Sequence, residues 1–336
     1  MFSEKLSGLL LQTRAISASP LRDTLQQDVL TGRVIGGHEA QPNSWKWQVS
    51  LQVAFPNDPG YYAHICGGTL ISSKWVMTAA HCLSMPAGAS YRVALGEHNL
   101  LVVDGTEYYI DVDAIFIPDD WNPVSIENGY DIALLRLESP AYANGFVELG
   151  VLPPKGEILP NNYPCYLTGW GLVNVGGSIA ERLQEVMLPV VDHEICSQED
   201  WWGSAIKDTM LCAGGDGEKA GCNGDSGGPL SCYRDDHWEV HGIVSFGLVP
   251  YCNTYKMPTV FTRVSAYVDW IYSGSPVVFY PAHLNFSPCD GKNPKVLHLG
   301  QDNPKHKYRF GGEWGKSIPE EKDMRVLVDE RLDMTW

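Results

Sequence analysis

The segment Gly224–Pro229 reads GDSGGP, which places one serine, Ser226, among three glycines. Glycine adopts backbone conformations that other residues rarely reach, so the chain can turn sharply here and direct neighbouring N–H groups at one point. Donors arranged in this way can stabilise negative charge on a substrate oxygen. The serine hydroxyl is a poor nucleophile until a base removes its proton. The turn therefore needs partners elsewhere in the chain.

Two upstream segments offer those partners. His81 lies in the segment Thr78–Cys82 (TAAHC), and Asp131 begins the apolar run Asp131–Leu135 (DIALL). A histidine can accept the serine proton while a carboxylate orients and supports the imidazole. The chain order histidine, aspartate, serine is that of chymotrypsin-type proteases, whereas subtilisins and α/β-hydrolases have other orders.

Motifs around these three residues resemble those of the trypsin/chymotrypsin family and, within it, of the pancreatic elastases. The resemblance runs from about Arg33 to Ile271 and includes Val34–Gly37, Asn43–Trp45, Trp47–Gln52, Gly96–Leu100, Gly129–Asp131, Thr168–Gly171 and Val260–Tyr267. It implies that His81 is the general base and acid, that Asp131 orients it, and that Ser226 is the nucleophile. The backbone N–H groups of Gly224 and Ser226 would form the oxyanion hole.

The composition limits the kinds of molecule that this chain is expected to bind. The chain has 336 residues, of which 44% are hydrophobic and 19% charged, enough to bury a large core. Its formal net charge of −16 argues against nucleic-acid binding by bulk attraction. Residues 34–272 hold 11 Lys/Arg and 28 Asp/Glu, so the acidity belongs to the protease-like part. No stretch approaches the ~20 apolar residues of a membrane span, so we expect no membrane partner.

Nine cysteines indicate an oxidising compartment, and we therefore expect a secreted, extracellular protein. Spacing alone does not fix the cysteine pairs. The export signal is weak, because the leader contains only the short apolar run Leu9–Leu11. The family resemblance implies four disulfides and leaves Cys289 over; the pairs are Cys66–Cys82, Cys165–Cys232, Cys196–Cys212 and Cys222–Cys252.

The junction between Arg33 and Val34 is typical of an activation site. A trypsin-like protease could cut after Arg33 and free the amino group of Val34, which begins an apolar and glycine-rich segment. A buried charge needs a partner, and the resemblance places that partner at Asp225, beside the nucleophile. The uncut chain should then be nearly inactive. The alternative, an ordinary exposed arginine in a loop, leaves the segment after it unexplained.

Short β-branched and aromatic runs, broken by Gly, Pro, Asn and Asp, predict an all-β protein. The runs are Trp47–Val53, Gly67–Ile71, Trp75–Thr78, Tyr91–Leu95, Asp131–Leu137, Cys165–Gly169, Val186–Val190, Pro229–Tyr233, Val240–Ser245 and Val260–Val264. The resemblance sharpens this prediction to two six-stranded Greek-key β-barrels with the triad in the cleft between them. Ser265, a good N-cap, should begin a short C-terminal helix that Gly274 and Pro276 end at about Tyr272.

The chain then divides into a leader or propeptide over 1–33, a trypsin-like serine protease domain over 34–272, and an unrelated tail over 273–336. We expect the leader and the tail to be poorly ordered. The tail segments Lys295–Gly300 and Glu320–Glu330 resemble a fragment of a non-LTR retrotransposon reverse transcriptase. The tail lacks the upstream paired-Asp motif of such polymerases, so we expect no polymerase activity; an appended module is the alternative.

The resemblance also predicts which bonds are cut. Ala220 should lie at the base of the primary pocket, where trypsin-like members carry an Asp, so a Lys or Arg side chain would lack a charge partner there. Gly247 and Thr259 should form the walls. Elastases that prefer Ala or Val carry a Val in place of Gly247, so the neck here is open, while Thr259 narrows the interior. We expect cleavage after Leu, Met or Phe, with Ala tolerated weakly.

The strand that ends at the pocket is expected to bind substrate directly. Ser245–Gly247, with Phe246 in its centre, should pair with substrate as an edge strand. Ser245 should also hydrogen-bond near Asp131. Tyr251 could either roof the pocket or face solvent.

The loop Glu97–Glu107 is rich in oxygen ligands, which hard cations such as Ca²⁺ prefer. Resemblance to the family's calcium loop favours a structural Ca²⁺ site remote from the triad, and a solvated acidic turn is the alternative. No catalytic cofactor is expected. The calcium ligands would be carboxylate or carbonyl oxygens of Glu97, Asn99, Val102, Asp104 and Glu107.

The sequence thus predicts the secreted, digestive zymogen of an elastase-like serine endopeptidase. Its partners would be protein or peptide substrates, an activating trypsin-like protease and serine protease inhibitors. Two alternatives stay open: a catalytically silent binding protein with a protease fold, and a chimeric gene product that does not accumulate.

Overall fold

The computed structural model describes residues 35–174 and 177–274, together with Arg309–Phe310 and Glu313–Trp314. The predicted leader 1–33, the activation residues Arg33 and Val34, Cys289 and the remainder of the tail lie outside the described residues. Of the helices that the structure describes, none is long and apolar enough to cross a membrane.

The first half of the described chain contains the short strand β1 (His38–Glu39), which pairs with the strand Gln184–Val191 of the second half, and a six-stranded barrel. The barrel strands are β2 (Gln48–Phe55), β3 (Asp58–Ser72), β4 (Trp75–Thr78), β5 (Ser90–Leu95), β6 (Tyr108–Phe116) and β7 (Ala133–Leu137). Strands β2 to β7 close on themselves in the order β2-β3-β4-β7-β6-β5, with every pairing antiparallel. Apolar side chains such as Leu51, Leu70 and Leu134 are fully buried in its core.

The second half repeats this architecture. Its strands are β8 (Pro164–Gly169), β9 (Gln184–Val191), β10 (Met210–Ala213), β11 (Pro229–Arg234), β12 (His237–Phe246) and β13 (Thr259–Arg263). The sheet runs β1-β9-β10-β13-β12-β11-β8 and closes because β8 also pairs with β9. The predicted all-β class, with two six-stranded barrels and a short C-terminal helix, is confirmed.

Two α-helices follow strands of the second barrel. Helix α1 (His193–Cys196) is capped by Asp192, whose side chain accepts the N–H of Ile195 at 2.9 Å. Helix α2 (Val264–Gly274) begins one residue before Ser265 and ends beyond the predicted Tyr272. A two-stranded pair, β14 (Arg309–Phe310) and β15 (Glu313–Trp314), completes the elements.

Ser265 does not act as the predicted N-cap, because it already lies inside α2. Its hydroxyl instead donates to the Glu157 carbonyl at 2.6 Å and accepts from Arg263 at 2.7 Å. The hydroxyl therefore fastens the start of α2 to the segment between the barrels.

Four disulfides join the elements, and they are the pairs that the family resemblance implied. Cys66–Cys82 ties the 3₁₀ turn Ala80–Leu83 to β3. Cys165–Cys232 bridges paired positions of β8 and β11, and Cys196–Cys212 connects α1 to β10. Cys222–Cys252 staples the loop before Ser226 to the loop before β13.

Hydrogen bonds cross the seam where the two barrels meet, beside a hydrophobic cluster that both barrels share. Gly67 of β3 donates its N–H to the Ser226 carbonyl at 2.7 Å. A Cβ at Gly67 would lie 2.7 Å from the Gly228 Cα, so only glycine allows this approach. Trp47 donates across the seam to the Ser231 hydroxyl at 3.1 Å.

Truncation of Leu134 tests the first barrel as the scaffold of the site. Leu134→Ala removes buried methyl groups from β7, where Leu134 is 0% exposed. We expect a loss of about 2–5 kcal/mol in the free energy of unfolding, measured by urea titration of the disulfide-intact chain. Val124→Ala, at a side chain that is 87% exposed, is the matched control and should change stability by less than about 0.5 kcal/mol. A Leu134→Ala effect no larger than that of the control would contradict this account of the core.

Candidate active site

His81 and Asp131 lie in direct contact. His81 sits in the 3₁₀ turn Ala80–Leu83, and its Nδ1 lies 2.8 Å from Asp131 Oδ2. The backbone N–H of His81 donates to the other carboxylate oxygen, Oδ1, at 3.0 Å. Because the carboxylate only accepts, Nδ1 carries a proton and Nε2 of the neutral ring is left as a base.

Asp131 is also held by the second barrel. Its carboxylate is 1% exposed, and the Ser245 hydroxyl of β12 donates to Oδ2 at 2.5 Å. The Thr262 hydroxyl of β13 donates to the Asp131 carbonyl at 2.6 Å. The predicted proximity of Ser245 to Asp131 is therefore present in the structure, whereas the Thr262 contact was not anticipated.

The Ser226 turn packs against the end of β4, just before this 3₁₀ turn. At Gly227, with φ +75°, a Cβ would lie 2.2 Å from the Thr78 hydroxyl oxygen. The close approach brings Ser226 beside the segment that carries His81. The Ser226 hydroxyl makes no hydrogen bond within the described part of the chain, and catalytic contacts of this kind often tighten only when substrate binds.

The N–H groups of Gly224 and Ser226 are set by hydrogen bonds of their neighbours. A peptide group is planar, so the carbonyl that precedes each N–H fixes its direction. Leu172 donates to the Asn223 carbonyl at 2.8 Å, and Gly228 donates to the Asp225 carbonyl at 2.9 Å. Neither the Gly224 nor the Ser226 N–H donates to a described residue, so both stay available to a substrate oxygen.

Asp225 is a second buried carboxylate, 0% exposed. It accepts N–H groups from Gly171 at 2.8 Å and Cys222 at 2.9 Å. A Cβ at Gly169 or Gly171 would lie 2.2–2.3 Å from its carboxylate oxygens, so those glycines make room for it. Burial raises the pKa of Asp225 to about 6, although the two N–H groups act to lower it. No described cation pairs with this carboxylate.

Two of the residues predicted to form the pocket are joined through a neighbour. Ala220 is buried in one cluster with Ile35, Cys222 and Cys252. Thr259 is 2% exposed, and its hydroxyl accepts the N–H of Gly221, the residue after Ala220, at 2.9 Å. A Cβ at Gly247 would meet nothing within 4 Å, so the space beside Gly247 is open. Tyr251 is 63% exposed, which favours the solvent-facing alternative over a roof.

The end of β12 is free for pairing on one side. The β11–β12 ladder stops at Pro229 and Ile243, so Ser245–Gly247 has no described strand partner on that side. Phe246 pairs with Val260 of β13 on the other side. Its ring packs edge-on against Trp202, with centroids 5.4 Å apart.

Comparison with known proteins decides the family. A family model described as Trypsin matches residues 34–271, well over half of the chain. The chain belongs to the trypsin family. Among its relatives, "Chymotrypsin-like elastase family member 1" of Bos taurus is 53% identical over 239 residues, which are 71% of this chain and 88% of the relative.

Two further relatives of this trypsin-family chain have similar sequence identities and coverages. "Chymotrypsin-C" of Bos taurus is 51% identical over 247 residues, 73% of this chain and 90% of the relative. "Chymotrypsin-like elastase family member 1" of Homo sapiens is 52% identical over 239 residues, 71% of this chain and 91% of the relative. The chain is therefore a serine endopeptidase of the chymotrypsin-like, elastase group.

His64 is a site residue that the sequence analysis missed. Its Nε2 lies 3.1 Å from the Gly224 carbonyl, and its Nδ1 lies 2.8 Å from the Ser50 hydroxyl. Because a carbonyl only accepts, Nε2 donates and the neutral ring accepts the Ser50 hydroxyl. The Leu172 N–H donates to the Asn223 carbonyl and His64 donates to the Gly224 carbonyl, so both peptide groups that flank Gly224 are held by hydrogen bonds. The partners lie 160 residues apart in sequence, so no local motif could have indicated the contact.

The loop Glu97–Glu107 has features of a cation site. Glu97 is 7% exposed, and its Oε1 has no hydrogen-bond partner among the described residues. Burial, and then the charges of Glu107 and Asp104, raise the pKa of Glu97 to about 7. The Asn99 carbonyl accepts the Val102 N–H at 3.2 Å, which curls the loop. An orphaned buried carboxylate among acids fits a bound calcium ion.

The carboxylate oxygens of Glu97, Asp104 and Glu107 do not all lie within 4.8 Å of one another. Among the described residues, the only group of three candidate ligands within 4.8 Å of one another is Cys66, His81 and Cys82. Its two sulfurs form a disulfide, so that group is not a metal site. The loop carboxylates Glu97, Asp104 and Glu107 would have to close around an ion.

The lowered pKa of His64 predicts that the free energy of unfolding depends on pH. Burial lowers the pKa of His64 from 6.5 to about 4, although the Gly224 hydrogen bond acts to raise it. Between pH 6.5 and 4 the unfolded chain binds the proton more tightly, so the free energy of unfolding should fall as the pH falls. The contribution is at most about 1.4 kcal/mol per pH unit.

Urea titrations of the wild type and of His64→Gln at several pH values would measure this contribution. Their difference in the free energy of unfolding should shrink as the pH falls from 6.5 to 4, because only the wild type has the imidazole to protonate. His38→Gln, at an exposed histidine, is the control and should give a difference that does not change in this way. A pH-independent difference for His64→Gln would refute the assignment.

Proposed function

We propose that the chain is the zymogen of a secreted serine endopeptidase that cleaves after medium to large hydrophobic residues. The contact between His81 and Asp131 beside the Ser226 turn carries this proposal. The 2.8 Å pair leaves an imidazole nitrogen free to act as a base. Ser226 lies on the facing turn, and substrate binding would tighten the contact of its hydroxyl with that nitrogen, as acyl transfer requires.

In the proposed mechanism the Ser226 oxygen attacks the peptide carbonyl carbon while His81 Nε2 takes the hydroxyl proton. The carbonyl oxygen becomes an oxyanion that the N–H groups of Gly224 and Ser226 stabilise. His81 then gives its proton to the leaving amine, and the C–N bond breaks. Water, deprotonated by His81, attacks the acyl-enzyme, and His81 returns the proton to the Ser226 oxygen as the ester bond breaks and the acid leaves. Asp131 keeps the imidazole oriented and supports its positive charge throughout.

The pocket sets the proposed preference. Ala220 at the base offers no carboxylate, so a Lys or Arg side chain would be buried without a partner. The open space at Gly247 admits side chains larger than Ala, while Thr259 and its contact to Gly221 narrow the interior. Leu, Met and Phe fill such a pocket best, and the Ser245–Gly247 edge, with Phe246, aligns the substrate backbone.

Activation would follow cleavage after Arg33. The new amino group of Val34 would be the cation that the buried Asp225 carboxylate lacks among the described residues. Ile35, the next residue, is already buried beside Ala220 and Cys222, and its carbonyl accepts the Ala220 N–H at 3.2 Å. Ile35 would thus tie the new chain end to the segment that leads into the loop with the oxyanion donors.

We further propose a structural Ca²⁺ in the loop that runs from Glu97 to Glu107. The ion would satisfy the orphaned Glu97 oxygen and neutralise the repulsion among the carboxylates. Its ligands would be the oxygens of Glu97, Asn99, Val102, Asp104 and Glu107, and its role would be to hold the loop, not to take part in acyl transfer.

Four disulfides support a secreted, extracellular location. We propose proteins and peptides as substrates, a trypsin-like protease as activator and serine protease inhibitors as partners. The family match ends at residue 271, so we infer that the tail 273–336 contributes nothing to the site. The resemblance of the tail to a reverse transcriptase fragment stays a prediction.

Peptides that differ only in the residue before the cleaved bond test the proposal. The activated chain should cleave after Leu, Met or Phe at least about tenfold faster, in kcat/KM, than after Lys or Arg. Ser226→Ala should abolish hydrolysis while still binding substrate. No hydrolysis by the correctly cut wild type would favour the silent binding protein, and a preference for Lys or Arg would overturn the pocket.

Gly247→Val isolates the neck of the pocket. The added side chain should lower kcat/KM for Phe at least about tenfold relative to Ala, because it blocks the open space. Gly60→Val is the matched control, since a Cβ at Gly60 also meets nothing within 4 Å and Gly60 lies in the exposed first part of β3. Equal losses for Phe and Ala substrates in Gly247→Val would contradict this role.

The calcium proposal predicts a shift in thermal stability. Millimolar Ca²⁺ should raise the Tm of the wild type, because a ligand that binds only the folded state stabilises it. Glu97→Gln should abolish the shift, whereas Glu138→Gln, at an exposed acid, should keep it. A shift that survives Glu97→Gln would place the ion elsewhere.

A further inference from the structure

The backbone that leads into Asp131 adopts an uncommon conformation. Gly129 has φ +88°, and Tyr130, which follows it, has φ +61°. Glycine accepts a positive φ without cost, but a residue as bulky as tyrosine rarely does. Such a residue keeps this conformation only when the surrounding structure imposes it. Some contact must therefore hold Tyr130 in place, immediately before the carboxylate that pairs with His81.

A side chain of helix α2 makes that contact. The Tyr130 N–H donates to the hydroxyl oxygen of Tyr267 at 3.0 Å. Tyr267 is 6% exposed, so the bond is shielded from water. The hydroxyl of Thr209, which precedes β10, also lies near that of Tyr267. Burial raises the pKa of the Tyr267 hydroxyl, and the Thr209 hydroxyl acts to lower it.

Two further contacts surround the same point. The rings of Tyr130 and Tyr267 meet edge-to-face with centroids 6.2 Å apart. At Gly129 a Cβ would lie 3.1 Å from the Thr209 hydroxyl oxygen and 3.7 Å from that of Tyr267. The Gly129–Tyr130 segment is therefore seated on α2 and on the chain that enters β10, both of which belong to the second half of the molecule.

We propose that Tyr267 is a positioning residue for the reaction, acting through Tyr130 on Asp131. The inference rests on the proposed role of Asp131. Ser245 holds the carboxylate, and Thr262 holds the Asp131 carbonyl. The Ile132 N–H donates to the Tyr130 carbonyl at 2.8 Å. None of these holds the peptide group between Gly129 and Tyr130. Tyr267 supplies that attachment.

The physical consequence of losing the hydroxyl follows from these contacts. Without it the Tyr130 N–H has no acceptor, and no hydrogen bond to this N–H maintains the positive φ of Tyr130. Relaxation of this peptide would rotate the Asp131 backbone and lengthen its contact with His81 Nδ1. Substrate binding should be little affected, because the pocket residues lie on other segments.

Tyr267→Phe removes only the hydroxyl and is the direct test on the activated full chain. We expect kcat to fall about 5- to 10-fold while KM stays within about twofold of wild type, as for an interaction that acts on the transition state. Tyr163→Phe is the matched control, because it also removes a tyrosine hydroxyl bonded to backbone, here the Tyr233 carbonyl at 2.7 Å. The control should leave kcat unchanged.

Rescue at Tyr130 separates positioning from general damage. Glycine accepts a positive φ without an anchor, so in the Tyr130→Gly background the further change Tyr267→Phe should lower kcat less than twofold. The proton resonance of the hydrogen bond between His81 and Asp131 should also shift in Tyr267→Phe alone. Unchanged kcat in Tyr267→Phe, or an equal loss in both backgrounds, would overturn the proposal. If Asp131→Ala itself kept full activity, the proposed function would fail instead, and the two results are distinguishable.

Discussion

The structure depends on a carboxylate buried where two barrels meet. Asp131 comes from the first barrel, and its oxygens accept from His81 and from Ser245 of the second. A buried charge that loses one partner costs about 3–5 kcal/mol, so both barrels must keep their positions for the pair to persist. This requirement links fold to chemistry, because the same contacts that satisfy the charge also orient the imidazole. Thr262 and Tyr267 extend the attachment to the backbone.

Asp225 places a second buried carboxylate next to the nucleophile. Its described partners are two neutral N–H groups, which do not balance its charge. Two N–H groups satisfy its geometry, yet burial still raises its pKa to about 6. The glycines at 169 and 171 are needed because any Cβ would displace the carboxylate. No cation among the described residues balances this charge, and under the proposed activation the amino group that a cut after Arg33 frees would do so. On that proposal the same residue accounts for a latent precursor and for the order of the oxyanion loop.

Much of the architecture could be predicted from sequence, and the exceptions have physical reasons. Of the strands that form the two barrels, β6 and β10 were not predicted. The sequence of β6 (YYIDVDAIF) has aspartates within a half-exposed strand, and that of β10 (MLCA) has no β-branched residue. Motifs predicted that Asp131, His81 and the Ser226 turn would meet. His64 and Tyr267 could not be found in this way, because their partners lie 160 and 137 residues away and only the folded chain brings them together.

Covalent labelling of Ser226 by a fluorophosphonate tests the central claim most directly. The labelled peptide would be quantified by mass spectrometry before and after cleavage at the Arg33–Val34 bond, in the wild type and in Asp225→Asn. The account predicts that cleavage speeds labelling of the wild type by ~100-fold or more, the scale of an oxyanion donor, and that Asp225→Asn gains far less. Labelling of the uncut chain as fast as the cut chain, or no labelling of either, would contradict it.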